Sequence, residues 1–301
     1  PPGPLLRMRA PIELTDNARP AVHEVDAIDE HGAVVPIAIA AGHPLALRLD
    51  RRELAVLTTL GTAPEHLAIG HLRNRRILAS IDEIAAVQVD WQAAAVTVTS
   101  RRLRETGATI WEHSGGGEGP HPHAGRSTAS AGRGQGGTYG APAQEIEEAV
   151  HLPAHARLSE EVLHAVIERV SRHESARRLA GTVEDCALCS NAGESRGEIL
   201  CFVEDLRQHD AADAIAGRMW LEGRTGGDEI LFTSGRLTPG IVARCARMGI
   251  PFLLSPSMPT QAGFDAAQRA GLTMIGRCRG RHYLVFTGAQ RLLRTPATGF
   301  A

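Results

Sequence analysis

An α/β fold with parallel strands is predicted by the stretch from Glu229 to Phe286, on three observations. Short apolar runs at residues 229–233, 250–254 and 272–275 read as buried strands. Between them the spacing turns helical, with Ile241, Val242, Cys245 and Met248 on one face of the first segment. Each helical segment opens beside a threonine and a proline (Thr238-Pro239, then Pro259-Thr260) and closes on a glycine, Gly249 or Gly271. The order β-α-β-α-β implies parallel strands joined by right-handed crossovers.

In an open sheet of this kind the turns leaving the carboxyl ends of the strands share one edge, and ligands bind there. Three such turns are expected, at residues 234–236, 255–260 and 276–282. The last carries Arg277, Arg279, Arg281 and His282, interleaved with Gly276 and Gly280. Guanidinium forks beside helix N-termini suit phosphate or carboxylate. A solvated basic turn is the plainer alternative.

Composition sets the limits. The chain has 301 residues, is 43% hydrophobic and carries a formal net charge of -2, so it has room for two domains and no general affinity for nucleic acid. Its basic residues other than histidine are all arginine, which excludes Schiff-base chemistry on a lysine. No apolar run reaches the length of a membrane span and no signal peptide opens the sequence, so a cytoplasmic, membrane-free protein is expected. The first residue is proline, so the natural start is expected upstream. Five cysteines (Cys186, Cys189, Cys201, Cys245 and Cys278) are an odd count, which fits a reducing compartment better than a disulfide framework. Cys245 on its helix face and Cys201, alternating with Ile199 and Val203, read as core.

Taken in order, residues 1–33 show no firm periodicity and are expected to form an N-terminal arm. Residues 34–110 read as a small α+β domain. It holds a hairpin around Asp50 to Glu53, a helix opened by Pro64 and a second strand pair bracketing Asp90-Trp91-Gln92. Residues 111–150 form a glycine-rich connection whose glycines match no phosphate-binding fingerprint. His113, His121 and His123 in that segment are a weak metal pattern. Residues 151–301 form the α/β domain. In it, Ser159 caps a helix with Val162, Leu163, Val166, Ile167 and Val170 on one face. A strand pair follows over residues 181–203, and a helix carrying Ala212, Ile215, Ala216 and Met219 is entered through Glu204 to His209.

Cys186-Ala-Leu-Cys189 has the spacing of zinc, redox or sulfur-handling pairs. Zinc normally takes two further ligands, and a thioredoxin-type pair opens a helix. These two lie in a predicted strand and point to opposite faces, so one at most faces a given site; burial of both is the structural alternative. Glu204, Asp205, His209 and Asp213 either cap the helix that follows or position a polar ligand.

The order of motifs from about Leu45 to Leu292 resembles the FdhD family. It includes Leu67-Ala-Ile-Gly70, Val87-Gln-Val-Asp-Trp91, Glu204-Asp205 with His209, and Ser234-Gly-Arg236. It continues through Gly249-Ile-Pro251, Ser257-Met-Pro-Thr260 and Gly271-Leu-Thr273 with Gly276. The resemblance implies a C-terminal three-layer domain of cytidine-deaminase-like topology and a smaller N-terminal α+β domain, acting as a homodimer. It also implies a sulfur carrier needed for formate dehydrogenase, taking sulfur from a cysteine desulfurase to a molybdenum or tungsten bis-guanine-dinucleotide cofactor. GDP is then a natural mimic. Arg277, Cys278, Arg279, Gly280, Arg281 and His282 match the cofactor-binding segment of the family, with Ser234, Gly235 and Arg236 beside it.

Three departures from the family pattern bear on function. Similar sequences carry Gly-Cys-Gly-Gln-Gly in the glycine-bearing loop; here the run reads Gly132-Arg133-Gly134-Gln135-Gly136, and no cysteine precedes Cys186. The histidine ahead of the Ala-Leu strand is replaced by Glu184 and Asp185, and beyond Asp205 a usual Gly-Arg is replaced by Arg207 and Gln208. The expected function is therefore sulfur transfer with Cys186, or next Cys189, as the carrier. The alternative is a cofactor- or guanine-nucleotide-binding chaperone without sulfur transfer.

Overall fold

The structure, a computed structural model, describes residues 11–109, 152–173, 175 and 180–294. The glycine-rich run with Arg133 and the three histidines of residues 111–150 lie outside them.

The smaller unit is built from two hairpins. β4 (His43–Leu49) pairs with β5 (Arg52–Thr59), and β6 (Ile84–Asp90) pairs with β7 (Ala95–Ser100). A parallel β4–β7 pair joins them, and β1 (Glu13–Leu14) adds beside β6, giving the order β1-β6-β7-β4-β5. Helix α1 (Pro64–Asn74) has proline in its first turn, and Leu67, Ala68, Ile69 and Leu72 are buried from it. The short α2 (Arg101–Thr106) is capped by Ser100 and ends on Gly107. Residues 22–40 differ from the expected arm. β2 (Val22–Ile28) and β3 (Val34–Ala40) form a hairpin across the boundary placed at residue 33. Carboxylates in β2 and Pro36 in β3 mask its alternation.

The larger unit carries a six-stranded sheet of order β10-β9-β11-β12-β13-β14. Its parallel centre is β11 (Glu229–Thr233), β12 (Phe252–Leu254) and β13 (Thr273–Arg279), connected through α5 (Pro239–Arg247) and α6 (Gln261–Arg269). β9 (Glu184–Ser190) runs antiparallel to β11, and β10 (Ile199–Asp205) antiparallel to β9. β14 (His282–Thr287) folds back on β13. The starts of β9 and β14 therefore share an edge with the ends of β10, β11, β12 and β13.

Two apolar layers hold this sheet. On one face, α3 (Glu160–Arg172), N-capped by Ser159, packs Val162, Leu163, Val166 and Ile167 against Ala187, Ile230, Phe252 and Ile275; a two-strand pair of β8 (Leu158–Ser159) and β15 (Leu292–Leu293) lies beside it. On the other, α4 (Gln208–Glu222), α5 and α6 cover Leu188, Leu231, Leu253 and Met274. That second core continues through α1 into the smaller sheet, so the two units share one interior. Each fully buried leucine, isoleucine or valine contributes about 1.5–3 kcal/mol. No helix among the described residues is long and apolar enough to cross a membrane.

Candidate functional site

The three outgoing turns are stitched into one surface. Ser255 Oγ donates to the Gly235 carbonyl (2.7 Å), and the Leu237 amide donates to the Met258 carbonyl (3.2 Å). The Arg277 amide reaches the Ser257 carbonyl and the Cys278 amide the Ser255 carbonyl, both at 3.0 Å. Ser234, Gly235, Arg236 and Arg277 thus meet at one edge, as the order of elements implies.

The arginine segment corrects the expectation of a loop over residues 276–282. Strand β13 continues to Arg279, which pairs with His282, and only Gly280 and Arg281 turn. The pairing slips between Gly276 and Arg279, and Arg277 takes φ 54° there, a left-handed conformation that costs a non-glycine residue on the order of 1–3 kcal/mol. Arg277, Arg279, Gly280, Arg281 and His282 are exposed, and so is Arg236. Among the described residues none of these four guanidiniums is paired with a carboxylate; Arg277 Nε donates to the Met258 thioether (3.3 Å). Strand alternation turns the remaining residue of the segment inward. Cys278 is buried, and burial pushes its thiol up to about 12, so its side chain takes no part in the exposed face.

The cysteine pair is likewise interior. Cys186 and Cys189 face opposite sides of β9, as their spacing requires, each sunk in a different apolar layer. Burial raises the Cys186 thiol far above its ordinary value, with Asp185 and Glu184 adding to the effect against a hydrogen bond from Thr233. Burial also pushes Cys189 up to about 12. Neither thiol is poised as a nucleophile in this conformation. Cys186 does lie under the edge, its Sγ 3.5 Å from the Gln208 carbonyl oxygen.

The acidic turn divides between structure and edge. Asp205 ties the two units together, accepting from Thr59 Oγ1 (2.6 Å) and from the amides of Leu60 (3.0 Å) and Leu206 (2.7 Å). Asp213 is bound by both forks of Arg244 and by the Asn74 amide at 2.7 Å. His209 lies over the start of α5, its Nε2 3.4 Å from Thr238 Oγ1. Burial, then the Arg244 guanidinium, lower its imidazole to about 4. No cluster of three or more metal-ligating side chains occurs among the described residues.

Two residues that the sequence left without a role stand at this edge. Glu184 Oε2 accepts from Ser234 Oγ (3.0 Å), and Gln208 spans Thr233 Oγ1 (3.0 Å) and the Arg236 carbonyl (2.9 Å). The usable signal was the direction of β9: a strand antiparallel to β11 must start where β11 ends.

Comparison with known proteins agrees with this architecture. A solved structure described as that of a candidate formate dehydrogenase accessory protein from Desulfotalea psychrophila superposes with a TM-score of 0.68 at 21% identity, covering 90% of this chain and 98% of that one. The sulfur carrier protein FdhD of Methanothermobacter thermautotrophicus is 22% identical over 272 residues, 90% of this chain and 98% of that protein. That of Sulfurisphaera tokodaii is 30% identical over 143 residues, 47% of this chain and 54% of its own length, so the latter match spans about half of that relative. The sequence model of the FdhD/NarQ family matches residues 40–293, nearly all of both sheets, and the chain belongs to that family.

Proposed function

We propose that this chain is a formate dehydrogenase accessory protein that seats the molybdenum or tungsten bis-guanine-dinucleotide cofactor, as cargo, on the arginine-bearing edge of its larger sheet. One observation carries the reading. Arg236 and Arg277 lie exposed on interlocked turns, and Arg279 and Arg281 lie exposed on the β13–β14 hairpin that leaves the same edge, with no carboxylate partner among the described residues. Like charges gathered on one edge repel until an anion joins them, and guanidinium forks match phosphate oxygens two at a time. The strand order and the helices on both faces support a cytidine-deaminase-like layout, and a cytoplasmic homodimer is the working unit in this reading. GDP is the natural probe. It should bind, and Arg279→Ala should weaken it 10- to 100-fold, on the order of 1.5–3 kcal/mol for a charge-assisted contact. Equal affinity in the variant would contradict the seat.

A second reading adds sulfur transfer from a cysteine desulfurase, and the place of Cys186 directly beneath the Gln208 backbone favours it. The Cys186 thiolate would attack the terminal sulfur of the desulfurase persulfide, and the desulfurase thiolate would leave. Burial holds the thiol protonated, so Gln208 and its turn would have to move first. Incubation with desulfurase and cysteine should add one sulfur by mass, lost in Cys186→Ala; retention of all added sulfur in that variant removes Cys186 from the role.

A further inference from the structure

The stretch leading into β2 is pinned to the smaller unit by a short series of bonds. Thr15 Oγ1 donates to the Val87 carbonyl (3.1 Å), and the Asn17 amide donates to Glu65 Oε1 (3.1 Å). The Asn17 carbonyl accepts from Trp91 Nε1 (2.7 Å), and the Arg19 amide donates to the Gly61 carbonyl (2.7 Å). Gly61 takes φ 78°, and a Cβ there would stand 3.0 Å from the Trp91 ring and 3.2 Å from Arg19 Cβ, so glycine lets this strap press close. The Arg19 guanidinium then lies 4.6 Å from the centre of the Trp91 ring, a cation–π contact. Its Nη1 stands 3.4 Å from His43 Nδ1, and the His43 ring lies 5.4 Å from that of Trp91.

Beyond the strap the chain enters the β2–β3 ribbon, which pairs with no third strand among the described residues. Ile28 and Val34, at its far end, are 75% and 64% exposed. A lone two-stranded hairpin is marginal in water, so this one depends on how its two ends are held. One end runs through Ala41 and Gly42 into β4; the other is the strap.

The strap is built for a neutral imidazole. Nδ1 of His43 accepts from Arg19 only while it carries no proton. Protonation there sets an N–H against the guanidinium donors and a second cation beside the first. Arg19 on the strap and His23 on β2 are the charged or titratable groups that act on His43, and no carboxylate offsets them among the described residues. Burial, then Arg19, then His23 lower the imidazole below its ordinary 6.5. The contact is therefore intact above that pH and lost as pH falls below it.

We infer that Arg19, His43 and Trp91 form an acid-sensitive latch, closed at neutral pH and released when His43 takes a proton, which frees the strap and loosens the ribbon it carries.

Hydrogen exchange of the full chain, read by mass spectrometry at pH 7.5 and 5 and corrected for intrinsic rates, tests the latch. In the parent, amides of residues 17–28 should lose protection at least five-fold at pH 5, while those of α1 keep theirs. His43→Gln, whose side-chain oxygen accepts from Arg19 at either pH, should retain the protection at pH 5. His43→Lys, a permanent cation at the same place, should already be open at pH 7.5. Equal protection of the parent at both pH values would overturn the latch. So would an acid loss undiminished in His43→Gln, which would place the sensitive group elsewhere, or full protection of His43→Lys at pH 7.5.

Discussion

Gly70 and Gly217 meet backbone to backbone where α1 crosses α4. A methyl group on Gly70 would overlap the Asp213 carbonyl and stand 2.7 Å from the Gly217 nitrogen; one on Gly217 would stand 2.9 Å from the Gly70 nitrogen. This crossing is what lets the two units share one core. Substitution at either glycine forces the helices apart. Gly70→Ala or Gly217→Ala should lose on the order of 1–3 kcal/mol or more in chemical denaturation. A loss below half a kcal/mol would show that the crossing relaxes freely.

Asp213 is fully buried at the same junction. Burial opposes its ionisation, yet the Arg244 guanidinium, with His71 adding to it, holds the carboxyl well below the usual carboxylate range. Arg244→Met leaves a buried charge without its main partner and should cost about 3–5 kcal/mol. Asp213→Asn combined with Arg244→Met should recover part of that loss, which equilibrium unfolding of the four proteins would measure. Additive losses would contradict a coupled pair.

His209 makes stability fall in acid. Its folded value of about 4 lies below the ordinary 6.5, so its contribution is fully present above pH 6.5 and lost as pH falls through 4. The full effect is on the order of 3 kcal/mol. Asp205 works the other way. Burial pushes it up to about 6, so its contribution grows as pH falls through that value. The difference between parent and His209→Asn, measured from pH 7.5 to 4, isolates the histidine. The variant should lose less stability over that range; parallel curves would refute the assignment.

The thiols give a further check on the interior. Cys186, Cys189, Cys201, Cys245 and Cys278 are all buried. Native protein at pH 8 should react with an aromatic disulfide reagent at least ten-fold more slowly than unfolded chain, and with no fast phase. A single fast thiol would place one cysteine at the surface. Identification of that thiol as Cys186 would favour the sulfur-transfer reading.

Much of this was legible because apolar spacing and end signals agreed. The parallel β11-α5-β12-α6-β13 unit, the Pro64 helix and the opposite orientations of Cys186 and Cys189 all follow from local pattern. The hairpin of β2 and β3 has no clear sequence signal, because exposed carboxylates interrupt its alternation. The arginine turn reads as a loop, because neither the slip at Gly276 nor the left-handed Arg277 has a sequence signal. Glu184 and Gln208 were not legible as site residues, since their position depends on strand direction and on a neighbouring glycine 27 residues beyond Gln208.

The arginine-bearing edge can be tested alone. Titration of inorganic pyrophosphate into the parent and into an Arg277→Ala, Arg279→Ala, Arg281→Ala triple variant of unchanged melting temperature isolates the phosphate seat from base recognition and sulfur chemistry. The parent should bind with an affinity that falls as salt rises, and the triple variant should lose at least a hundred-fold. Equal binding by the two proteins, or none by the parent, would contradict a polyphosphate seat at the end of this sheet.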